Sequence, residues 1–122
     1  MKYVRMYADS EGKSHVEDVD LELTLGDWSP PTPPVCLSPF TSATQFGFLG
    51  APPGWVGGWH PVPRRQMCFF LVGEVELEVS DGEVRRFPAG SAVLAEDTVG
   101  QGHQTHIVGR EDFVMAVVLV PG

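Results

Sequence analysis

The sequence has few cysteines, no long apolar run and no apolar leader, and each shortage excludes a class of protein. Its two cysteines, Cys36 and Cys68, are too few for the disulfide framework of a small secreted domain. Cys68 lies within an apolar segment, so we expect it to be a reduced core residue. No stretch approaches the roughly 18 apolar residues of a membrane span, and the N-terminus lacks a signal region. We therefore expect a cytoplasmic protein.

Basic residues are also scarce. The 8 lysines and arginines are set against 16 acidic residues, which gives a formal net charge of −8. A chain with this excess of negative charge repels phosphate backbones and anionic lipids, so the sequence predicts no nucleic-acid partner and no membrane partner. Several enzyme signatures are missing as well, namely the nucleophile elbow, the P-loop, the dinucleotide-binding glycine motif and the CxxC pair.

A helical hydrophobic period is absent from every segment, whereas short strand-like runs recur between turns. The 14 glycines and 11 prolines divide the chain into short pieces. Residues 19–25 and 74–79 alternate with the period of a half-buried strand, and residues 67–72 are apolar on both faces, as in a covered strand. We predict eight to ten strands in one all-β domain, residues 1–122, forming a barrel or jelly roll.

Two segments have distinctive local chemistry. Asp81-Gly82 separates two alternating runs, which predicts a β-hairpin closed by a type I′ turn. Residues 29–34 contain four prolines, and this density is incompatible with a helix or a central strand. We expect the proline-rich segment to be an extended arm over the surface or a loop at the mouth of the barrel.

The middle of the chain resembles the first sequence motif of the cupin superfamily, G-x5-H-x-H-x3-E-x6-G. The two glycines of the motif fall on Gly54 and Gly73 with the correct spacing. Its two histidine positions fall on His60 and Val62, and its glutamate position falls on Gln66. The sequence therefore departs from the family pattern at two positions, with a valine in place of a histidine and an amide in place of a carboxylate.

A second cupin motif, G-x5-P-x-G followed by a histidine, is matched further along. Gly82, Pro88 and Gly90 have the required spacing, and His103 is the candidate for the final histidine. The resemblance, from about residue 54 to residue 103, implies a double-stranded β-helix, the cupin jelly-roll barrel. Because barrels of this family often pair through exchanged edge strands, it also implies a homodimer.

In cupins the motif histidines and glutamate project into the barrel and bind one divalent metal ion. Carried over position by position, the resemblance implies a metal site of His60, Gln66 and His103. Imidazole binds Zn, Fe, Ni or Cu well, whereas an amide oxygen is a weak and uncharged ligand. We expect a divalent transition metal, with Zn, Fe, Ni and Mn as the candidates. Asp97 or His106 could supply a missing ligand, although His106 lies three residues from His103 and should point to the opposite face of the strand.

Residues beside the metal positions are candidates for binding a substrate. Trp59 could stack on a ligand at the mouth of the pocket. Arg64 or Arg65 could bind a carboxylate or phosphate if its side chain points inward. Asp97 could reach the barrel from its loop and contact the substrate, or act as a general base.

Two functions remain open from the sequence, besides a third hypothesis in which the barrel is mainly an assembly unit. One is a metal-dependent enzyme, an isomerase, lyase or oxygenase that acts on a small organic molecule inside the barrel. The other is a metal-free module that binds a small-molecule ligand without turnover. The residues do not identify the substrate or the reaction, because one fold supports many reactions.

Overall fold

The computed structural model describes all residues from Met1 to Gly122 and contains eleven β-strands and no helix. The structure contains no helix long and apolar enough to cross a membrane. The strands are β1 (Lys2–Ala8), β2 (Ser14–Asp20), β3 (Thr24–Gly26), β4 (Val35–Leu37), β5 (Gln45–Ala51), β6 (Gln66–Val72), β7 (Glu74–Val79), β8 (Val84–Phe87), β9 (Ala92–Glu96), β10 (His103–Val108) and β11 (Phe113–Leu119). The predicted all-β class is confirmed.

Two sheets enclose the core. The larger sheet has six strands in the order β2-β1-β9-β6-β11-β5, and the smaller has three in the order β10-β7-β8. β1 and β9 run parallel, and the other paired strands are antiparallel. Thirteen buried side chains form one hydrophobic core, twelve from the strands of the two sheets and Val62 from the loop before β6, with Val75, Val93 and Ile107 each 1% exposed.

The strand predicted across residues 19–25 is divided in the structure. Its first part belongs to β2, which already begins at Ser14, and its last part is the short strand β3. β3 pairs only with β4, and the proline-rich residues 29–34 lie exposed between these two strands. From here on, the arm means residues 21–43, which include β3, the proline-rich residues 29–34 and β4. This division, together with the short strand β4 that the sequence did not predict, explains why the strand count exceeds the expected eight to ten.

The predicted hairpin of β7 and β8 is present, but its turn differs from the expected type I′. That turn requires a positive φ at two central residues, whereas no residue other than glycine has a positive φ in this chain. Gly82 alone is left-handed, with φ of 98°. Its amide donates to the Val79 carbonyl at 3.0 Å, and the Val79 amide donates to Glu83 at 3.0 Å. Because Val79 bonds Glu83, three residues lie between them, one more than in a type I′ turn. In this longer turn one left-handed glycine is sufficient.

The two turns at one end of the molecule are joined through His15. Its Nε2 lies 2.7 Å from Asp9 Oδ2, and its Nδ1 lies 2.8 Å from Asp81 Oδ2. The hydrogen bonds that His15 makes to Asp9, and then to Asp81, raise the pKa of His15. The pKa of Asp9 is lowered, chiefly by its bond to His15. The pKa of Asp81 is also lowered, chiefly by the backbone amide of Glu83. The cluster connects the β1–β2 turn to the hairpin turn.

We expect His15→Gln to lower the melting temperature more at about pH 5.5 than at about pH 9. A raised histidine pKa gives stability that is complete below the unfolded value of about 6.5 and is lost as pH rises through the folded value. The lowered aspartate pKa values give stability that is lost as pH falls below about 4. Thermal melts of both proteins across this range test the expectation. An equal difference at the two pH values would contradict it.

Candidate functional site

His60 and His103 face one another across the open edge of the small sheet. The segment from Gly54 to His60 runs antiparallel to β10, and the backbones of His60 and His103 exchange hydrogen bonds of 3.1 and 3.0 Å. Directly opposed residues of an antiparallel pair project to the same face. The two imidazole rings accordingly lie 5.0 Å apart, measured between centroids, and are tilted by 55°. The motif positions that lie 43 residues apart in sequence are therefore neighbours.

A close backbone contact at Gly102 positions this pair. Gly102 has φ of 76° and is so close to the backbone of His60 that a Cβ built on it would overlap the His60 carbonyl oxygen. The Gly102 carbonyl accepts a hydrogen bond from Ser14 Oγ at 2.6 Å, and Ser14 is fully buried. Only glycine combines the left-handed backbone with the space that this contact needs.

His103 is fixed by a buried carboxylate. Its Nδ1 lies 2.6 Å from Asp97 Oδ2, with Asp97 0% and His103 8% exposed. A carboxylate oxygen accepts, so Nδ1 carries the hydrogen, and in the neutral imidazole the free lone pair is on Nε2. The other carboxylate oxygen, Asp97 Oδ1, is buried and has no hydrogen-bond partner. A buried polar atom without a partner is costly, and a catalytic role or a nearby ion is among the features that account for such atoms.

His60 is held in the same tautomer as His103. Its Nδ1 lies 2.9 Å from the carbonyl oxygen of Pro61, which can only accept. Both rings are therefore anchored through Nδ1, and both leave Nε2 without a protein partner. The two rings differ in exposure, because His60 is at the surface and His103 is buried.

Behind this pair lies a cavity of about 70 Å³ in the core of the barrel. Nine of its twelve lining residues are hydrophobic, and the polar ones are Gln66, His103 and Thr105. The Gln66 amide nitrogen donates to Cys68 Sγ at 3.4 Å, which leaves the amide oxygen without a partner. Burial raises the pKa of Cys68 to about 11, although the bond from Gln66 opposes this shift. The thiol is therefore protonated at neutral pH, which makes it a poor nucleophile.

The remaining candidates from the sequence lie away from the cavity. Arg65 is on the outer side of the large sheet, where it bonds Glu96 and donates to the Pro121 carbonyl at 3.0 Å. Arg64 is exposed, and Trp59 is 36% exposed beside His60. His106 pairs with Glu76 and Val56, on the face opposite to His103. The predicted site residues that the structure brings together are thus His60, Gln66, His103 and Asp97.

The position of Val62, where the cupin motif has a histidine, is filled by packing. Val62 is 3% exposed and belongs to the hydrophobic core. Two cavity residues, Cys68 and Thr105, were not among the candidates from the sequence. Each is two residues from a candidate, Gln66 or His103, on the same strand, so the strand period alone could have identified them.

The chemistry of the donor set fits a metal ion, although the set is small. No group of three His, Cys, Asp or Glu side chains is placed to hold one, so the available donors are the imidazoles of His60 and His103 and the Gln66 amide oxygen. Metal-binding histidines typically donate their other ring N–H to a carboxylate or a backbone carbonyl. Asp97 and Pro61 accept these bonds here.

Comparison with known proteins supports the fold. A Cupin 2 conserved barrel domain protein from Salinispora arenicola CNS-205 superposes with a TM-score of 0.54, at 24% identity over 84% of this chain and 82% of that chain. A conserved protein of unknown function from Streptococcus pyogenes gives a TM-score of 0.48, at 26% identity over 66% and 69% of the two chains. No protein-family model and no curated protein matches the sequence.

The chain is an all-β protein with the fold of the cupin barrels. Its two facing sheets and its similarity to the Salinispora barrel confirm the jelly roll that the two sequence motifs predicted.

Proposed function

We propose that this cupin-fold protein binds one divalent transition-metal ion through Nε2 of His60 and Nε2 of His103, with the Gln66 amide oxygen as a third ligand. The observation that carries the proposal is the anchoring of both imidazoles through Nδ1, at 2.9 Å for His60 and 2.6 Å for His103. This arrangement fixes the tautomer and leaves the metal-binding nitrogen of each ring available. Zn, Fe, Ni and Mn are the candidate ions.

Asp97 supports the ion from behind His103. Two imidazoles and an amide carry no charge, so they leave the charge of a divalent ion uncompensated. The Asp97 carboxylate, which is hydrogen-bonded to His103 Nδ1, places negative charge behind the ligand and increases the basicity of the imidazole. The second oxygen of Asp97 has no hydrogen-bond partner in the protein, so a cation nearby would stabilise the buried carboxylate further.

A small organic molecule is the proposed second ligand. The cavity beside Gln66 and His103 holds about 70 Å³, and no lysine or arginine lines it. Its apolar walls favour a compact molecule, and Thr105 offers a hydroxyl as donor or acceptor. A bound ion would polarise a carbonyl of such a molecule or stabilise an enediolate. That chemistry serves isomerases, lyases and oxygenases. Of the substrate-binding residues predicted from the sequence, Asp97 contacts His103 and Trp59 adjoins His60, so these two are kept in the proposal, whereas Arg64 is exposed away from the cavity.

Metal content tests the proposal. We expect protein purified without an affinity tag to bind Zn²⁺ or Co²⁺ near one equivalent in calorimetry, and His60→Ala or His103→Ala to lose this binding. His106→Ala is the matched control, because His106 lies on the opposite face of β10 and should leave binding intact. Uptake below about a tenth of an equivalent would refute the metal site.

The alternative is a metal-free binding module. It is favoured by three polar groups at the cavity that have no assigned protein partner, namely the Gln66 amide oxygen, His103 Nε2 and the Thr105 hydroxyl. Such groups can hold a small molecule through hydrogen bonds alone. Under this alternative, a ligand from a small-molecule panel raises the melting temperature equally with and without EDTA. Under the metal proposal, EDTA reduces the shift.

A further inference from the structure

The loop between β9 and β10 begins at Asp97 and ends directly before His103. Its last four residues, 99–102, make no backbone–backbone hydrogen bond of normal length and angle. Their one hydrogen bond comes from a side chain, since Ser14 Oγ donates to the Gly102 carbonyl oxygen at 2.6 Å. A single hydroxyl group, 88 residues away in sequence, therefore ties the loop that joins the buried carboxylate to its histidine.

Ser14 is the first residue of β2 and is fully buried. Its side chain points inward together with that of Val16, which packs against the core. Its hydroxyl has one hydrogen, which goes to the nearer acceptor, the Gly102 carbonyl at 2.6 Å, and not to Ser80 Oγ at 3.0 Å. The Ser14 oxygen accepts from the Ser80 amide at 2.7 Å, and the Ser14 amide donates to Ser80 Oγ at 2.7 Å. Because a fully bonded buried polar group is rigid, β2 fixes the place of the Gly102 carbonyl.

A second contact ties the same loop to the turn between β1 and β2. Gly100 has φ of 79°, and a Cβ built on it would lie 2.0 Å from the Gly12 carbonyl oxygen. The turn is itself held in place by the hydrogen bonds of the His15 cluster. The loop therefore rests on the N-terminal hairpin at two points, Gly100 and Gly102, and this hairpin lies outside both cupin motifs.

We propose that Ser14 is a positioning residue for the His60–His103 pair, and that its hydroxyl sets the direction in which Nε2 of His103 points. The carbonyl that Ser14 holds belongs to the peptide group between Gly102 and His103. Because a peptide group is planar, holding its oxygen also fixes its N–H. That N–H donates to the His60 carbonyl at 3.0 Å. One peptide group thus connects β2 to the backbones of both histidines.

This role rests on the proposed function, because it concerns how the two imidazoles share one ion. The bond from His103 Nδ1 to Asp97 selects the tautomer, whereas the peptide group before His103 fixes the backbone from which the ring projects. The His60 amide returns a bond to the His103 carbonyl at 3.1 Å, so a shift of this peptide would displace both rings. Two ligands that are aimed at one point tolerate little displacement. Loss of the Ser14 hydroxyl should therefore weaken binding without removing a ligand.

Metal titration and proton NMR of the full-length protein test the role of Ser14. We expect Ser14→Ala to weaken Zn²⁺ binding about tenfold, the lower end of the usual effect of changing a residue behind a metal ligand. Without metal, we expect the wild type to give a nuclear Overhauser cross-peak between the rings of His60 and His103, whose centroids are 5.0 Å apart. Ser14→Ala should lose this cross-peak, because its Gly102 peptide is free to turn.

Ser80→Ala is the matched control. It removes the other hydroxyl of the same buried cluster but leaves the bond from Ser14 to Gly102 in place. It should lower the melting temperature, as Ser14→Ala does, yet retain both the Zn²⁺ affinity and the cross-peak. Equal losses of affinity in the two variants would indicate a general loosening of the fold, and they would reject a positioning role for Ser14.

The two measurements separate this role from the metal site itself. If the wild type takes up no Zn²⁺, the metal site is refuted, and the cross-peak alone decides on Ser14. A cross-peak that is absent from the wild type or unchanged in Ser14→Ala overturns the positioning role, and so does Zn²⁺ binding by Ser14→Ala within about twofold of the wild type. If Ser14→Ala does not fold, Ser14→Cys replaces it, because a thiol fills the site but is a weak donor. The same losses are then expected.

Discussion

Gly102→Ala is expected to destabilise the protein by about 4 kcal/mol or more, which is among the largest effects of single substitutions. Two penalties combine at this position. A non-glycine residue with φ of 76° costs about 1–2 kcal/mol. In addition, the new Cβ overlaps the His60 carbonyl oxygen, so the backbone pairing of His60 with His103 must open. Because small domains have only about 5–15 kcal/mol of stability, we expect a large loss of folded protein.

Gly109→Ala separates the two penalties. Gly109 has φ of 79°, almost the same as Gly102, but nothing lies within 4 Å of a Cβ built there. It should cost only the backbone term of about 1–2 kcal/mol. Urea denaturation of both variants measures the difference, which reports the contact with His60. Similar costs for the two variants would show that the contact does not support the site.

The fold was predictable because its signals are local. The alternation of residues 74–79 and the double-sided apolar run of residues 67–72 correspond to β7 and β6. The turn between β7 and β8 was predicted in position but not in type, because Asp-Gly is compatible with more than one loop length. The division of residues 19–25 between two strands was not predictable from alternation, since pairing partners decide where a strand ends.

The candidate site was predictable only in part. Spacing within the motifs singled out His60, Gln66 and His103. Gln66 and His103 line the cavity, and His60 faces His103 from the surface. The orientation of Arg65 required the structure, because it depends on Glu96 and Arg5, which are distant in sequence. The role of Asp97 as the partner of His103 was equally hidden, since a loop residue has no period from which its direction can be deduced.

Asp97→Asn is expected to weaken Zn²⁺ or Co²⁺ binding about 10–100-fold, the usual effect of removing a carboxylate behind a metal-binding histidine. Asparagine retains the shape and can still accept from His103 Nδ1 through its amide oxygen. The imidazole therefore keeps its position but loses the adjacent negative charge. Isothermal titration calorimetry of the purified variant with each ion measures the change in Kd. The melting temperature should change little, because the buried carboxylate already has one oxygen without a partner and the amide that replaces it likewise has one polar group without a partner.

Asp112→Asn is the matched control for this substitution, since it removes the same charge from an exposed position. If both variants weakened binding equally, the cause would be the net charge of the protein and not the contact with His103. If Asp97→Asn bound the ion within about twofold of the wild type, Asp97 would not support the ligand. The expected pattern is that His103→Ala loses binding, that Asp97→Asn has a much weaker Kd, and that Asp112→Asn is unchanged. This pattern would show that His103 and the carboxylate behind it act together in holding the ion.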